Sequence, residues 1–450
     1  MSDEVDAVIE RVRERVTPDE DERSELQAVA ARLRERAEAA ITDLPVEARV
    51  VQVGSTARET WTAGDRDVDL FVCFPADVAR ERLEEYGLDV GHTVLPDGHE
   101  EYAEHPYVKG VVEGYDVDLV PCYDVADATA IQSAVDRTPF HTRYLDEHLD
   151  DELAGDVRVC KQFMKGIGVY GSDLKTRGFS GYLTELLVLE HGGVRPLVEA
   201  ASDWSPPVRF DPEDHGTVEF DDPLVMIDPT DPERNVAAVL SARQLATFQH
   251  YARELLADPR LSLFEPDEPV PIGAGTVRER VAARGTTPVA LVFDAPELVD
   301  DQLWPQLVRS LSGLTDALDR YGFDVLRAET FADESAVLFA ELEVAERPAI
   351  ERHEGPPVHV RAHAEGFYQK YADSDAVGPY IDGDRYVVER EREYTTATAL
   401  LESDAVFDVA LGAHVESALE AGYEVLVGGE IDTLAAEFGV ELARYFDPKP

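Results

Sequence analysis

The segment VQVGSTARETWTAGDRDVDLFVCFP, residues 51–75, carries two acidic side chains in an otherwise apolar strand pattern. An apolar run ends at Gly54-Ser55, and after a polar stretch an alternation of acidic and apolar residues begins at Asp67. Because alternate side chains of a β-strand share a face, Asp67 and Asp69 point to one side and the interleaved apolar residues point into a core. The segment therefore predicts two strands joined by a turn, with two carboxylates on one face.

Two carboxylates side by side repel each other unless a cation lies between them. Hard oxygen ligands of this kind suit Mg²⁺, which takes one or two protein carboxylates together with phosphate oxygens of a substrate. The Gly-Ser turn supplies the complementary part, because free N–H groups at a strand-to-helix turn and a hydroxyl can hold a phosphate. Acidic pairs with this spacing occur by chance about 19 times in so acidic a chain. The preceding Gly-Ser turn and the interleaved apolar residues, rather than the acidic pair alone, indicate a metal and phosphate site.

A later segment, Tyr115–Val120, again alternates acidic and apolar residues. Asp116 and Asp118 share a face there, and the pattern alone does not choose between them. A third carboxylate on a neighbouring strand is what a two-metal site needs, since two cations that bridge attacking and leaving oxygens require more than two ligands. The alternative is a solvated edge strand.

The composition indicates a soluble chain adapted to a salty medium. The formal net charge is -52 over 450 residues, and repulsion on this scale is screened when the Debye length falls to about 3 Å near 1 M salt. The sequence has no long apolar run and no signal-peptide core, so we expect a cytoplasmic protein without a membrane segment. The three cysteines are isolated, which argues against a disulfide framework or a structural zinc site.

Arg158–Arg177, RVCKQFMKGIGVYGSDLKTR, is a basic island in this acidic chain. It holds five basic residues against one acidic residue, and three of the six lysines lie in it. Since affinity for phosphate falls steeply with salt, RNA binding in a salty medium depends on such islands and on stacking. The island predicts phosphate contacts, and Tyr170 is a candidate for stacking on a base or ribose. The alternative is an ordinary solvated helix face.

Helices are predicted for much of the remaining N-terminal half. Residues 1–45 show helical spacing of apolar residues, with Thr17 as the predicted N-cap of the main helix. His141 lies in a helix after a turn, where a lone histidine is more often structural than catalytic. Asp228–Ala238 is predicted to enter a long helix, with Arg234 near its start, where it can reach a phosphate or pair with a neighbouring acid.

The C-terminal part begins after a proline-rich linker predicted at residues 257–280. The patterns that follow have the order β-α-β-β, which fits an RNA-recognition-like or ferredoxin-like sheet. Gly355–Tyr371 mixes basic and aromatic residues in a way that suits stacking on RNA, although a half-buried helix face is equally consistent. An Asp-Gly turn predicts a hairpin over Tyr380–Val388.

Together these motifs resemble the archaeal class of CCA-adding tRNA nucleotidyltransferases, within the polymerase-β-like nucleotidyltransferase superfamily. The superfamily signature is shared by many enzymes, whereas the later segments look specific to the archaeal CCA class. The resemblance covers most of the chain and is weakest in its tail. It is carried by Gly54–Arg58 with Asp67–Asp69, Val117–Tyr123, Arg137–His141, Lys161–Tyr170, Gly178–Tyr182 and Asp228–Ala238.

The resemblance implies a role for each candidate site residue. Asp67, Asp69 and Asp118 would be the catalytic carboxylates that bind Mg²⁺, which favours Asp118 over Asp116. The reaction would be a two-metal attack of the tRNA 3′-hydroxyl on the nucleotide α-phosphate, with release of pyrophosphate. The incoming CTP or ATP would be contacted by Gly54, Ser55, Arg58, His141, Lys161 and Tyr170. Arg234 would help to position the nucleotide or the primer phosphate.

The implied fold class is a multidomain α+β protein. Its expected parts are a nucleotidyltransferase catalytic domain with a mixed sheet and helices (1–146), a helical central domain (147–262) and a C-terminal RNA-binding region (263–450). The last of these divides into an RNA-recognition-like or ferredoxin-like body at about 286–345, an α+β tail at about 346–422 and a closing segment at 423–450.

The implied partners are CTP, ATP and tRNA, the last through its 3′ end and its acceptor and T arms, and a homodimer stays open. One alternative is a poly(A)-polymerase-like nucleotidyltransferase, which would add A repeatedly where a CCA enzyme adds two C and one A and stops. The other alternative is a non-catalytic RNA-binding protein on the same fold, which would bind RNA without releasing pyrophosphate.

Overall fold

The structure is a computed structural model that describes residues 2–102, 104–267 and 269–450. The chain divides into two compact units, one up to residue 267 with Pro450 and one over residues 268–449. The helices of the first unit are α1 (Ser2–Val16), α2 (Glu20–Thr42), α3 (Gly54–Ala57), α4 (Arg80–Val94), α5 (Thr138–His148), α6 (Asp151–Gly166), α7 (Gly181–His191), α8 (Val194–Ser202) and α9 (Ala242–Ala257). Its strands are β1 (Arg49–Val53), β2 (Asp67–Pro75), β3 (His99–Tyr102), β4 (Pro106–Val112), β5 (Tyr115–Asp124), β6 (Val208–Phe210), β7 (Leu224–Asp228) and β8 (Asp231–Asn235).

A five-stranded mixed sheet, in the order β1-β2-β5-β4-β3, dominates the first half of this unit. Strands β2 and β5 are parallel, and the other neighbours are antiparallel. The apolar residues predicted to point inward, among them Val68 and Leu70, are buried with apolar residues of α2 and α4 in one core. Because the alternation has a period of two, this packing leaves the acidic residues of β2 and β5 on the opposite face.

A second core joins α1 to α5–α9. Val5 and Val12 of α1 are buried in the same cluster as Phe163 of α6 and Phe248 of α9. The long helix α2 begins two residues later than predicted, because Asp19 rather than Thr17 is its N-cap. The Asp19 side chain accepts a hydrogen bond from Glu22 N at 2.8 Å, and the Glu22 side chain reaches back to Asp19 N. This reciprocal capping box satisfies two N–H groups that the helix leaves unpaired.

The prediction of a helix entered through Asp228–Ala238 is wrong. This segment contains the end of β7, a turn and β8, and the helix α9 begins only at Ala242, with Ser241 as its N-cap. The Asp228 side chain accepts hydrogen bonds from Thr230 N and Oγ1 at 2.9 and 2.8 Å, which stabilises a turn in place of a helix start. Arg234 therefore lies on a strand.

The second unit has the predicted β-α-β-β order. Its helices are α10 (Ala274–Arg284), α11 (Asp300–Arg320), α12 (Arg361–Tyr371), α13 (Ala397–Leu401), α14 (Ala413–Ala421) and α15 (Gly439–Phe446). Its strands are β9 (Thr287–Asp294), β10 (Val325–Ala332), β11 (Ser335–Leu342), β12 (Ile350–Pro357), β13 (Val377–Asp382), β14 (Arg385–Glu391) and β15 (Glu424–Val427). The linker is shorter than predicted, since α10 occupies residues that had been assigned to it.

Two sheets make up the second unit. An antiparallel sheet in the order β10-β11-β9-β15 is the ferredoxin-like arrangement, and β12-β14-β13 form a separate sheet. The predicted hairpin is present, with Gly383 at φ +62° between β13 and β14. The predicted α+β fold class is confirmed.

Candidate active site

Asp67, Asp69 and Asp118 lie on one face of the first sheet. In the parallel register of β2 and β5, Asp69 is directly opposite Asp118 and Asp67 is directly opposite Asp116. Paired residues of neighbouring strands point to the same side, so all four carboxylates share this face. Asp67 and Asp116 are exposed, whereas Asp69 and Asp118 are partly buried. The structure thus places the three predicted carboxylates on one face together with Asp116, and exposure does not distinguish Asp67 from Asp116.

Gly54 allows the Asp69 carboxylate to occupy its position. The residue begins α3 with φ +79°, and a Cβ at this position would lie 1.9 Å from Asp69 Oδ2. Only a residue without a side chain fits here, because both the backbone conformation and the space exclude a Cβ. The predicted Gly-Ser turn therefore lies directly against the carboxylate face, with Ser55 as the next residue of α3.

The carboxylates disturb one another's protonation. Burial, followed by the charges of Asp118 and Asp67, raises the pKa of Asp69 to about 7. Burial also raises the pKa of Asp118, although Lys109 opposes it. Lys109 Nζ lies 3.6 Å from Asp118 Oδ1, beyond hydrogen-bond distance. The face accordingly concentrates negative charge that the protein compensates only in part.

The donor set fits a divalent cation. Asp118 Oδ1 is buried and accepts no hydrogen bond from a described residue, with only the more distant Lys109 ammonium to offset its charge, and a buried carboxylate oxygen without a hydrogen bond is costly. Carboxylate oxygens are also the ligands that Mg²⁺ prefers. Over residues 2–102, 104–267 and 269–450, no three histidine, cysteine or acidic side chains already stand in metal-binding geometry. The carboxylates would have to move closer together around a cation.

A buried cluster holds Arg58 and Lys161 on either side of Glu185. Arg58 Nη2 lies 2.8 Å from Glu185 Oε2, and Lys161 Nζ lies 3.3 Å from Glu185 Oε1. Glu185 is fully buried, and Thr60 Oγ1 donates to it. Burial alone would raise the pKa of Glu185, but Lys161 and Arg58 outweigh it and lower the pKa. Two cations around one carboxylate leave a net positive charge, and Arg58 Nε has no acceptor among the described residues.

The basic island does not form a solvated helix face. Lys161 is 3% exposed, and Arg158 is 7% exposed and donates to Glu59 O. Lys165 pairs with Asp65 at 3.3 Å. The Tyr170 hydroxyl lies close to Lys161, because both side chains flank Gly181. A Cβ at Gly181 would lie 3.1 Å from the Tyr170 hydroxyl and 3.9 Å from Lys161 Nζ. The island therefore contributes one buried cation, Lys161, to the Glu185 cluster, whereas Lys175 and Arg177 are exposed.

His141 and Arg234 both contact another fully buried acid, Asp228. His141 Nε2 lies 2.9 Å and Arg234 Nη1 2.7 Å from Asp228 Oδ2. The His141 ring stacks on Tyr182 with a centroid distance of 4.0 Å and an interplanar angle of 16°. Arg58 Nη1 donates to Thr142 Oγ1 at 3.2 Å, and Thr142 is the neighbour of His141 on α5. Arg58 also pairs with Glu185 and directly follows α3, whose first residue, Gly54, lies against Asp69. Arg58 therefore links the carboxylate face, the Glu185 cluster and His141 into one candidate site.

Comparisons with known proteins match most of the chain to one family. Three family models match, described as "Nucleotidyltransferase domain" over residues 33–141, "tRNA nucleotidyltransferase, second domain" over 155–265 and "CCA-adding enzyme, C-terminal domain" over 284–428. The CCA-adding enzyme of Haloarcula marismortui is 67% identical over 466 residues and covers 100% of both chains. The chain belongs to the CCA-adding enzyme family. Other members are those of Halorubrum lacusprofundi, 62% identical over 100% of both chains, and Methanoregula boonei, 44% identical over 95% of this chain and 93% of its own.

Three residues of this CCA-adding enzyme family member were not singled out from the sequence. Glu185 has a detectable signal, because it is the only acid in the apolar run Leu183–Leu189. Asp228 ends an apolar strand, and the sequence placed it only at the start of a predicted helix and in a segment that carries the family resemblance. Lys109 is one of six lysines in a chain that otherwise uses arginine. Each became recognisable only when the tertiary structure placed it beside a predicted site residue.

No helix in the described part of this family member is both long enough and apolar enough to cross a lipid bilayer.

Proposed function

We propose that this chain completes and repairs the 3′-terminal CCA of tRNA, without a nucleic-acid template, from CTP and ATP. The observation that carries this proposal is the full-length similarity to CCA-adding enzymes, at 67% and 62% identity. The carboxylate face supports it, because Asp69 and Asp118 lie side by side on parallel strands next to the Gly54 turn. The tRNA 3′-hydroxyl attacks the nucleotide α-phosphate and pyrophosphate leaves.

In this proposal Asp67, Asp69 and Asp118 hold Mg²⁺. When bound, Mg²⁺ supplies Lewis-acid activation of the 3′-hydroxyl and neutralises charge on the leaving pyrophosphate. Gly54 keeps the Asp69 carboxylate in place, and Lys109 offsets part of the charge on Asp118. These residues arrange the acidic face and limit the repulsion between its members.

The nucleotide is bound by residues on or next to α3, α5, α6 and β8. Arg58 and Lys161, joined by Glu185, give the net positive charge that a triphosphate requires. Arg58 Nε is buried and has no acceptor among the described residues, so it has a hydrogen bond still to donate. Gly54, Ser55 and Tyr170 complete this part of the site, and His141 and Arg234 contact the rest of the nucleotide.

The remaining parts of the proposal concern domains, partners and location. The three-domain division at residues 146 and 262 stays a prediction, as do the homodimer and the tRNA contacts of the C-terminal region. We also propose a cytoplasmic location, in keeping with a tRNA substrate. With a net charge of -52, RNA binding relies on local buried cations and stacking rather than on overall charge.

The direct test is incubation of a tRNA that lacks its 3′ CCA with CTP, ATP and Mg²⁺ in molar KCl, followed by sequencing of the extended end. The proposal expects two C and one A, then no further addition, and no extension of a tRNA with an intact CCA. Repeated addition of A would support a poly(A)-polymerase-like activity instead. RNA binding without release of pyrophosphate would support a non-catalytic protein.

A further inference from the structure

Asp228 is the most heavily hydrogen-bonded acid near the site. Its side chain is fully buried at the end of β7. Oδ2 accepts from His141 Nε2 at 2.9 Å and Arg234 Nη1 at 2.7 Å. Oδ1 accepts from Thr230 N and Oγ1 at 2.9 and 2.8 Å and from the Tyr182 hydroxyl at 3.3 Å. Both oxygens are therefore occupied by donors.

These contacts determine which nitrogen of His141 carries hydrogen. Burial alone would raise the pKa of Asp228, but the donors of His141 and Thr230 and the charge of Arg234 outweigh it and lower the pKa. An ionised carboxylate can only accept, so His141 Nε2 must donate. Burial lowers the pKa of His141, which favours the neutral ring, and in the neutral ring that donates from Nε2 the Nδ1 atom keeps a lone pair. Nδ1 makes no hydrogen bond to any described residue, and the side chain is 12% exposed.

We propose that Asp228 is a positioning residue of the nucleotide site, which holds His141 as the Nε2–H tautomer so that Nδ1 accepts a hydrogen bond from the bound nucleotide. This inference rests on the proposed function. The group recognised is an O–H or N–H donor, and CTP and ATP both carry two kinds, the ribose hydroxyls and the exocyclic amine. Stacking on Tyr182 fixes the plane of the ring and hence the direction of the acceptor.

Asparagine at position 228 cannot replace the carboxylate. Asparagine has one acceptor oxygen and one NH₂ group, whereas donors contact both carboxylate oxygens of Asp228. If its oxygen faces Thr230, its NH₂ faces His141 and Arg234, and the Nε2–H tautomer loses its partner. If its oxygen faces His141, its NH₂ opposes the donors of Thr230.

The matched control is Asp231→Asn. Asp231 lies on the same hairpin, is 6% exposed and accepts from Glu233 N at 3.1 Å and from Arg137 Nε at 3.1 Å. The substitution removes one negative charge from the hairpin, as Asp228→Asn does, but changes no contact of His141.

The first test is the tautomer of His141, observed in full-length protein with ¹⁵N-labelled histidine by long-range ¹H–¹⁵N spectra at pH 8 in molar KCl. The His141 signal is assigned by its loss in His141→Gln. We expect the Nε2–H pattern in the unmodified protein and in Asp231→Asn, and a mixture of tautomers in Asp228→Asn. An Nδ1–H pattern in the unmodified protein would overturn the proposal even if Asp228→Asn failed to fold. An unchanged Nε2–H pattern in a folded Asp228→Asn would also overturn it.

The second test identifies the donor on the nucleotide. KM and kcat for C addition are measured with CTP, with 2′-deoxy-CTP, with 3′-deoxy-CTP and with the triphosphate of the pyrimidinone riboside that lacks the 4-amino group. We expect one analogue to raise KM about tenfold in the unmodified enzyme with little change in kcat, and this penalty to disappear in Asp228→Asn. A penalty of equal size in Asp228→Asn, or no penalty for any of the three analogues, would overturn the proposal. The tautomer measurement needs no turnover, so a failure of the proposed CCA activity would be recognised separately.

Discussion

At the scale of single residues, Gly54 and Asp69 depend on each other. We predict that Gly54→Ala lowers the rate of C addition by at least about 10²-fold, because a new Cβ would displace the Asp69 carboxylate and misplacement by about 1 Å has an effect of this size. The measurement is the initial rate at saturating CTP, Mg²⁺ and truncated tRNA, with circular dichroism to verify folding.

Gly64→Ala is the control for this substitution. Gly64 has φ +89°, similar to Gly54, but no atom lies within 4 Å of the position of its Cβ. The backbone strain is therefore comparable, at about 1–2 kcal/mol, whereas the carboxylate face is untouched. A rate within about threefold of the parent enzyme is expected. Equal losses in the two variants would mean that strain, and not the position of Asp69, explains the effect.

The protonation of Asp69 predicts a pH dependence of metal binding. Its pKa of about 7 in the folded protein lies above the ordinary value of 3.8. Between about pH 4 and pH 7 the unfolded chain releases this proton while the folded protein keeps it, so the stability of the metal-free protein falls as the pH rises. A cation must also displace the proton below pH 7. We predict that Mg²⁺ affinity falls about fivefold from pH 7 to pH 6, because the ionised fraction of Asp69 falls by that factor.

Isothermal titration calorimetry in two buffers of different ionisation enthalpy measures both the affinity and the protons released. Asp69→Asn provides the control, since this variant should bind Mg²⁺ weakly with no proton release at pH 6. Affinity that does not change between pH 6 and pH 8 would contradict the shifted protonation of Asp69.

At the scale of elements, the N-terminus of α2 offers a test of the corrected helix boundary. We predict that Asp19→Ala lowers the free energy of unfolding by about 1 kcal/mol, because the capping box is lost. Thr17→Ala should change it by less than about 0.5 kcal/mol, since Thr17 lies outside the helix. Urea unfolding in molar KCl measures both. A larger loss of unfolding free energy in Thr17→Ala than in Asp19→Ala would support Thr17 as the N-cap, as predicted from the sequence.

Elements whose pattern reflects burial were predictable, and elements stabilised by side-chain hydrogen bonds were not. The alternation in β2 and β5 reports directly which face is buried, so both strands and their shared acidic face followed from the sequence. The hairpin of β7 and β8 depends on Asp228 accepting from Thr230, which competes with a helix start of similar composition. Arg234 was consequently placed on the wrong type of element.

The candidate site shows the same limit. The carboxylates and the Gly-Ser turn are close in sequence and follow from strand geometry, and the resemblance to the CCA-adding family supplied the nucleotide contacts. Glu185 and Asp228 acquire their roles from residues far along the chain, Arg58 and His141 among them. No local pattern contains those pairings, because they arise only when helices and strands from different parts of the chain pack together.

At the scale of the whole molecule, the net charge of -52 predicts a stability that depends on salt. We expect the melting temperature to fall on the order of 10 °C when KCl is reduced from about 3 M to about 0.2 M, because repulsion between carboxylates is no longer screened. Differential scanning calorimetry measures the shift. Sucrose at the same osmolality as the KCl should restore only a small part of it. Full restoration by sucrose would attribute the effect to hydration instead of charge.

The central claim, that Asp67, Asp69 and Asp118 are the carboxylates that act together in nucleotide addition, is tested most directly by comparing Asp118→Asn with Asp116→Asn. Both residues lie on β5 and on the same face, opposite Asp69 and Asp67 respectively. The rate of Mg²⁺-dependent C addition to truncated tRNA should fall by at least about 10³ in Asp118→Asn, about 4 kcal/mol of barrier, and stay within about threefold in Asp116→Asn. A loss confined to Asp116→Asn, or near-full activity of Asp118→Asn, would contradict the account.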